Sequence, residues 1–271
     1  MSVLEEILSA KRDEVTVLHQ PTTRSVLQKA ALAAPPAQGF AASLRPPGLT
    51  EPHLRVIAEF KRRSPSRGDI ALDLDVAATV SKYVSGGASA LSVLTDGPFF
   101  GGSARDLQNA RLAAPKTPIL RKDFVIDPVQ VYESVALGAD AILLILAALP
   151  DDALLIDLLT LVSELGRDAL VEVHNREELD RAKQLEVSVI GINARNLITF
   201  SEDLDLSEQL VADLPMSITA IAESAIKNSD DARRMGNAGF DAILVGEALV
   251  KNSHPESLVK DMTSFVIQPR D

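Results

Sequence analysis

The sequence predicts an α/β protein, a closed (β/α)8 barrel with an N-terminal helical extension. Three observations carry this prediction. Eight short apolar or β-branched runs recur, at Val56–Lys61, Ala90–Thr95, Pro118–Asp123, Ala141–Leu146, Ala169–His174, Val189–Ala194, Thr219–Ser224 and Ala242–Glu247. Their starts lie 20 to 34 residues apart, room for one strand plus one helix each. The runs are continuously apolar, as in parallel strands covered on both faces. Eight such units in 271 residues match a barrel, which typically needs about 250 residues, better than an open doubly wound sheet.

The elements follow in order. Residues Ser2–Ala34 read as helix, broken near Gln20–Thr23, and Pro35–His53, rich in Pro, Gly and Ala, reads as a connecting segment. Amphipathic helical patterns at Leu74–Val84, Ala104–Ala113, Pro128–Leu137, Asp151–Leu165, Arg176–Leu185, Leu204–Leu214, Ser229–Ala238 and Pro255–Phe265 fill the gaps after the strands. Pro128 and Pro255 suit first-turn positions. Asp127, Asn175 and Ser229 suit N-caps, and Gly138, Gly166 and Gly239 suit helix ends. The whole chain, residues 1–271, is expected to form one domain, with 1–53 as extension and connection and 54–271 as the TIM-barrel body.

Composition excludes several functions. With no Cys, the chain can hold no disulfide, thiolate metal site, Fe–S cluster or Cys nucleophile. A net charge of −11 disfavours nucleic acid and anionic membrane as partners, which need a positive field. A small anionic ligand remains compatible, because a local pocket can oppose the global charge. The longest apolar stretch, Ala141–Pro150, is shorter than the roughly 20 residues that span a bilayer. Met1–Ala10 is an amphipathic pattern with two Glu and no signal-peptide layout. A cytoplasmic protein is expected, as a monomer or weak oligomer.

Barrel chemistry sits at the C-terminal ends of the strands, and here those ends are polar. Strand 1 carries Glu59 and Lys61, and strand 3 ends Arg121-Lys122-Asp123. Strand 5 carries Glu172 and His174, strand 6 Asn193, strand 7 Glu223-Ser224 and strand 8 Gly246-Glu247. Glu59 and Lys61 are two apart and share a face. Covered strands seldom end in charge. Lysines and carboxylates converging on one partly dry mouth therefore point to acid–base work. The turns after strands 7 and 8, at Ser224 and Gly246, and the loop Arg62–Gly68 after strand 1 suit phosphate. His174 is expected to be a satisfied structural histidine, and Arg62, Arg63 and Arg67 to be solvated charges. His19, His53 and His254 do not cluster, so no metal site is expected.

These residues resemble a known family. Ala58-Glu59-Phe60-Lys61-Arg62-Arg63-Ser64-Pro65-Ser66-Arg67-Gly68 is similar to the strand-1 signature of the indole-3-glycerol phosphate synthases. Further blocks agree in order: Leu91–Asp96 with Phe99–Ser103, Leu120–Asp127, Leu170–His174, Gly191–Leu197, Ala222–Ser224 and Leu244–Leu249. The resemblance implies a lyase without metal or cofactor. Its substrate would be a phosphorylated small molecule, a carboxyphenylamino-deoxyribulose phosphate, whose ring closure releases CO₂ and water. It further implies Lys122 as general acid, Glu172 as general base or relay, and Lys61 as partner of the substrate carboxylate. Glu59, Asn193 and Glu223 would orient substrate and balance charge. Ser64, Ser224, Gly246 and Glu247, with Lys61, would form the phosphate end, and Phe124 and Leu143 the apolar pocket for the aromatic ring. Which lysine is the acid at each step stays open.

Two positions depart from the family pattern: Ala225 where Gly is usual, and Ala194 where a second Asn is usual. Two other readings stand beside the synthase. One is a phosphate-binding barrel that isomerises a phosphoribosyl substrate, a family that lacks the Glu59/Lys61/Ser-Pro-Ser block and uses a Cys base. The other is a non-catalytic barrel that binds a phosphorylated ligand or a partner protein, a reading to which Ala225 lends its weight.

Overall fold

The computed structural model describes residues 2–45, 52–196, 199–268 and 270. Residues 46–51 of the expected connecting segment and Leu197 of the strand-6 block lie outside the described residues. Eight parallel strands close on themselves: β1 (Arg55–Phe60), β2 (Ala90–Leu94), β3 (Ile119–Lys122), β4 (Ala141–Ile145), β5 (Asp168–Val173), β6 (Val189–Asn193), β7 (Thr219–Glu223) and β8 (Ala242–Val245). Each pairs with its sequence neighbour, and β1 pairs with both β2 and β8.

Side-chain alternation divides the apolar residues between two cores. In β1, Val56, Ala58 and Phe60 join the layer beneath the helices. Ile57 instead joins Leu120, Leu143, Leu170, Ile221 and Leu244 in the lumen. Both faces are therefore dry, which is why the strands read as continuous apolar runs. The lumen set also fixes which polar side chains point inward. Glu59, Lys122, Glu172 and Glu223 each lie two residues beyond a lumen residue and so face the barrel axis.

The helices start where a side chain can satisfy the free N–H groups of the first turn. Asp127 accepts from the Val129 N–H before Pro128 opens its helix, and Asn175 accepts from the Glu178 N–H. One expected cap is corrected. Asn228, not Ser229, caps the helix Ser229–Asn237, accepting from Asp230 and Asp231 N–H at 2.9 and 3.0 Å. Its extended backbone aims Oδ1 at those donors, whereas Ser229 is already helical. Gly138, Gly166 and Gly239 follow helix ends with φ of 96°, 65° and 100°, the left-handed closure glycine favours.

The N-terminal extension wraps the barrel from mouth to floor. Helix α1 (Val3–Leu18) lies at the mouth, where Lys11, 1% exposed, pairs with Asp123 at 2.9 Å and Asp96 at 3.2 Å. Those aspartates follow β3 and β2, so one buried ammonium ties α1 to two strand ends. Helix α2 (Pro21–Leu32) packs on the helix Pro128–Ala136. The connecting segment is not all loop as expected, because it contains helix α3 (Phe40–Leu44). Phe40 and Leu44 bury into the lumen core. The Gln38 and Ala41 N–H groups donate to Asp140 and Asp168 at the starts of β4 and β5, each at 2.9 Å. A single turn is too short to be stable alone; burial of its two large side chains, a tertiary effect, holds it. Among the described residues no helix is long and apolar enough to cross a membrane.

Candidate active site

Lys122 is the centre of the mouth. Its Nζ stands 3.1 Å from Glu172 Oε2 and 3.3 Å from Glu223 Oε2. Desolvation works against the ammonium, but Glu172, Glu223 and Glu59 outweigh it and hold its pKa above the ordinary lysine range. The two carboxylates are not equivalent. Burial works against the charge of Glu172 as well, but Lys122, His174 and Asn193 more than offset it and keep the group ionised. Asn193 donates to Glu172 Oε1 at 3.1 Å. Burial together with the neighbouring Glu172 outweighs Lys122 at Glu223 and pushes its pKa well above the usual carboxylate range. The two therefore differ in bias, Glu172 toward the carboxylate and Glu223 toward the protonated acid, with the ammonium between them.

Two glycines make this arrangement possible. A Cβ on Gly191 of β6 would come within 3.0 Å of Glu223 Oε1, and one on Gly246 within 3.0 Å of Glu59 Oε1. Gly246 was expected at the phosphate end. It also gives clearance to Glu59, whose Oε1 pairs with Lys61 Nζ at 2.8 Å.

A cavity of ≈ 810 Å³ collects the residues singled out from the sequence. Glu59, Lys61, Lys122, Glu172, Asn193 and Glu223 line it, as do Ser64, Phe124, Leu143, Ser224, Gly246 and Glu247. At one end the turn after β7 carries two consecutive left-handed residues, Ser224 at φ 66° and Ala225 at φ 60°. The alanine that departs from the family pattern thus occupies a conformation costing about 1–2 kcal/mol without glycine. Glu247, on the adjoining wall, is paired with Lys251 at 2.6 Å and Arg67 at 3.5 Å. Two cations thus stand beside this end of the cavity.

Several lining residues escaped the sequence reading. Arg195, two beyond Asn193, donates to Ser66 Oγ at 2.8 Å and pairs with Glu202 at 2.5 Å, bridging the loops after β1 and β6. Its place at a strand end was the available signal. Val3, Leu4 and Ile7 of α1 add apolar wall beside Phe100, Phe124 and Leu143. A helical extension carries no sequence mark of where it docks. Arg62 and Arg63 are not simply solvated, since they pair with Asp106 at 2.7 Å and Asp69 at 2.5 Å. His174 touches Glu172 rather than standing apart from the chemistry, because it shares that residue's inward face.

Acid–base side chains gathered at the C-terminal mouth of a closed eight-stranded barrel define the class, a (β/α)8-barrel enzyme. The family model described as indole-3-glycerol phosphate synthase matches residues 4–262. The indole-3-glycerol phosphate synthase of Mycobacteroides abscessus is 44% identical over 268 residues, spanning 99% of this chain and 96% of its own length. That of Chlorobium phaeovibrioides is 45% identical over 258 residues, spanning 95% and 98%. The chain belongs to the indole-3-glycerol phosphate synthase family and is a carboxy-lyase of tryptophan biosynthesis. Two solved structures share the fold alone. The 3-hexulose-6-phosphate synthase of Salmonella typhimurium aligns with TM-score 0.60 at 11% identity, covering 78% of this chain and 97% of its own. The thiamine phosphate pyrophosphorylase of Pyrococcus furiosus aligns at 0.57 and 18%, covering 77% and 93%.

Proposed function

We propose that this chain closes the indole ring of a carboxyphenylamino-deoxyribulose phosphate with Lys122 as general acid and Glu172 as general base. The observation that carries the assignment is the Lys122 ammonium held between Glu172 and Glu223 at 3.1 and 3.3 Å. Attack of the ring carbon on the ketone puts charge on the ketone oxygen, and Lys122 protonates it as the bond forms. Glu223, which burial and the neighbouring Glu172 bias toward the protonated acid, returns a proton to the Lys122 amine. Loss of CO₂ then restores the aromatic ring. Lys61 holds the departing carboxylate, so the step needs pose and a nearby cation rather than a further catalyst. In the dehydration, Glu172 takes the ring-adjacent proton while an acid protonates the leaving hydroxyl.

The remaining lining residues bind. Phe124 and Leu143 offer an apolar slot for the aromatic ring, with Ile7 and Phe100 beside them. Ser64, Ser224 and Gly246 take the phosphate, with Glu247 through its backbone N–H. Its carboxylate stays neutralised by Lys251 and Arg67. Asn193 and Glu59 keep Glu172 and Lys61 in place.

The test supplies purified protein with the carboxyphenylamino-deoxyribulose phosphate and follows indole fluorescence. The protein should turn it over, and Lys122→Ala should not. Absence of signal from the unaltered protein, at concentrations where the variant is also silent, overturns the reading.

A further inference from the structure

Lys122 faces two carboxylates at nearly equal distance, and nothing about the lysine itself says which of them stays ionised. The difference lies behind them. The His174 side chain, 8% exposed, places Nε2 3.1 Å from Glu172 Oε1 and Nδ1 3.1 Å from Glu178 Oε2. The His174 Nε2 contact is an ion-pair approach rather than a well-aligned hydrogen bond. Glu223 has Lys122 at 3.3 Å but no second cation behind it among its ion pairs with described residues.

A neutral imidazole has one N–H, and its other nitrogen would present a lone pair to a carboxylate. With a carboxylate at each nitrogen, the ring is satisfied only as imidazolium. Glu178 is fixed for this purpose. Its Oε2 accepts from the His174 N–H at 2.8 Å and its Oε1 from Asn175 Nδ2 at 2.8 Å, at the start of the helix Arg176–Ala182. The charged groups facing the ring are thus Glu172 on its own strand and Glu178 on the following helix. Beyond Glu172 lie Lys122 from β3 and Glu223 from β7. The only cation among these is on the far side of Glu172. Burial works against the imidazolium, but both carboxylates outweigh it and push its pKa up to about 9.

We propose that His174 is a positioning residue that makes Glu172, rather than Glu223, the ionised carboxylate facing Lys122. The proposal rests on the reading of Glu172 as the base. It divides the pair into a base backed by a buried cation and a proton-retaining carboxyl without one. Glu178 completes the chain by holding the imidazole charged and oriented, as the outer carboxylate does behind a metal- or acid-bound histidine elsewhere.

Two measurements test it. The first is the pH profile of kcat and KM for His174→Gln, which keeps a neutral donor but removes the charge. Glu172 should then protonate at higher pH. Expected is an acid limb of kcat moved up by at least about one unit, so that kcat falls by up to about tenfold at pH values below the limb and recovers above it, with little change in KM. Glu178→Gln should move the limb the same way by less. The second is NMR titration of the imidazole, assigned by its loss in His174→Gln, and it needs no turnover. In the unaltered protein the ring should stay protonated beyond pH 8, and in Glu172→Gln its pKa should fall by about one unit or more.

A uniform loss of kcat at every pH, with the limb in place, would mark a merely structural role and overturn the proposal. An imidazole titrating in the ordinary histidine range, or unmoved by Glu172→Gln, would overturn it too. Should the unaltered protein fail to turn over the substrate, the reading of the reaction falls, while the NMR titration still decides whether His174 is the cation behind Glu172.

Discussion

Gly191→Ala puts the geometry of the carboxylate pair to a direct test. The added Cβ falls within 3.0 Å of Glu223 Oε1, 3.1 Å from its Cδ and 3.2 Å from Leu170 Cδ1. Leu170 is fully buried in the lumen and has nowhere to go. The carboxylate is the part that yields, by on the order of 1 Å to regain ordinary contact near 3.5 Å. Glu223 Oε2 stands 3.3 Å from Lys122 Nζ, so such a shift breaks the pair or draws the ammonium aside. Misplacing a catalytic group by that much costs about 100-fold in rate, or about 2.7 kcal/mol of transition-state stabilisation. Overpacking should also lower stability by about 1–3 kcal/mol. Steady-state indole fluorescence gives kcat and KM, and urea unfolding gives stability. Gly97→Ala is the control, since its Cβ would meet nothing nearer than the Gly102 carbonyl oxygen at 3.7 Å. If Gly191→Ala folds and keeps kcat/KM within about threefold of the unaltered protein, the placement of Glu223 does not matter to the reaction and the reasoning fails.

Lys122→Met should abolish measurable turnover. It should also destabilise the fold, because it takes the ammonium from between two buried carboxylates, one of which, Glu172, keeps His174 and Asn193; calorimetry and the fluorescence assay report the two effects separately. Ala225→Gly should raise stability by about 1 kcal/mol by relieving the left-handed alanine. It should lower KM if that turn holds the phosphate; urea unfolding reads the first effect and steady-state indole fluorescence the second. Lys11→Met should free α1 from Asp96 and Asp123, raising KM more than it lowers kcat, since Ile7 belongs to the apolar wall; amide exchange along α1 should rise with it. For Asp123, burial raises its pKa, but Arg121 and Lys11 outweigh that and lower it to about 2 from the ordinary 3.8. A depressed carboxylate contributes stability that is complete above the unfolded value and lost as pH falls through the folded one. Unfolding free energy should therefore drop between about pH 4 and pH 2, with a shallower slope in Asp123→Asn.

Sequence alone made the barrel legible because its signals are local. Continuous apolar runs such as Ala141–Ile145 report a strand covered on both sides, and Pro128, Asp127 and Gly138 punctuate a helix through neighbours a few residues away. Polar ends on those runs, Glu59 with Lys61 and Lys122 after Leu120, were readable for the same reason: an inward parity can be counted along a strand. The Asn228 cap and helix α3 were missed. The first turned on one backbone conformation, and the second on a lumen floor that only a closed barrel creates.

What the sequence determined by itself is the repeating strand–helix order, the inward face of each strand and the identity of the charged groups at one end. Only the tertiary structure decided which of those groups meet, because that depends on distances between strands far apart in the chain. Gly191 gives room to a glutamate on the neighbouring strand, Lys11 joins the extension to the ends of β2 and β3, and His174 with Asn193 backs Glu172 but not Glu223. Periodicity can assign a residue to the lumen, but two carboxylates on the same inward face are told apart only by the neighbours that closure of the barrel brings to each.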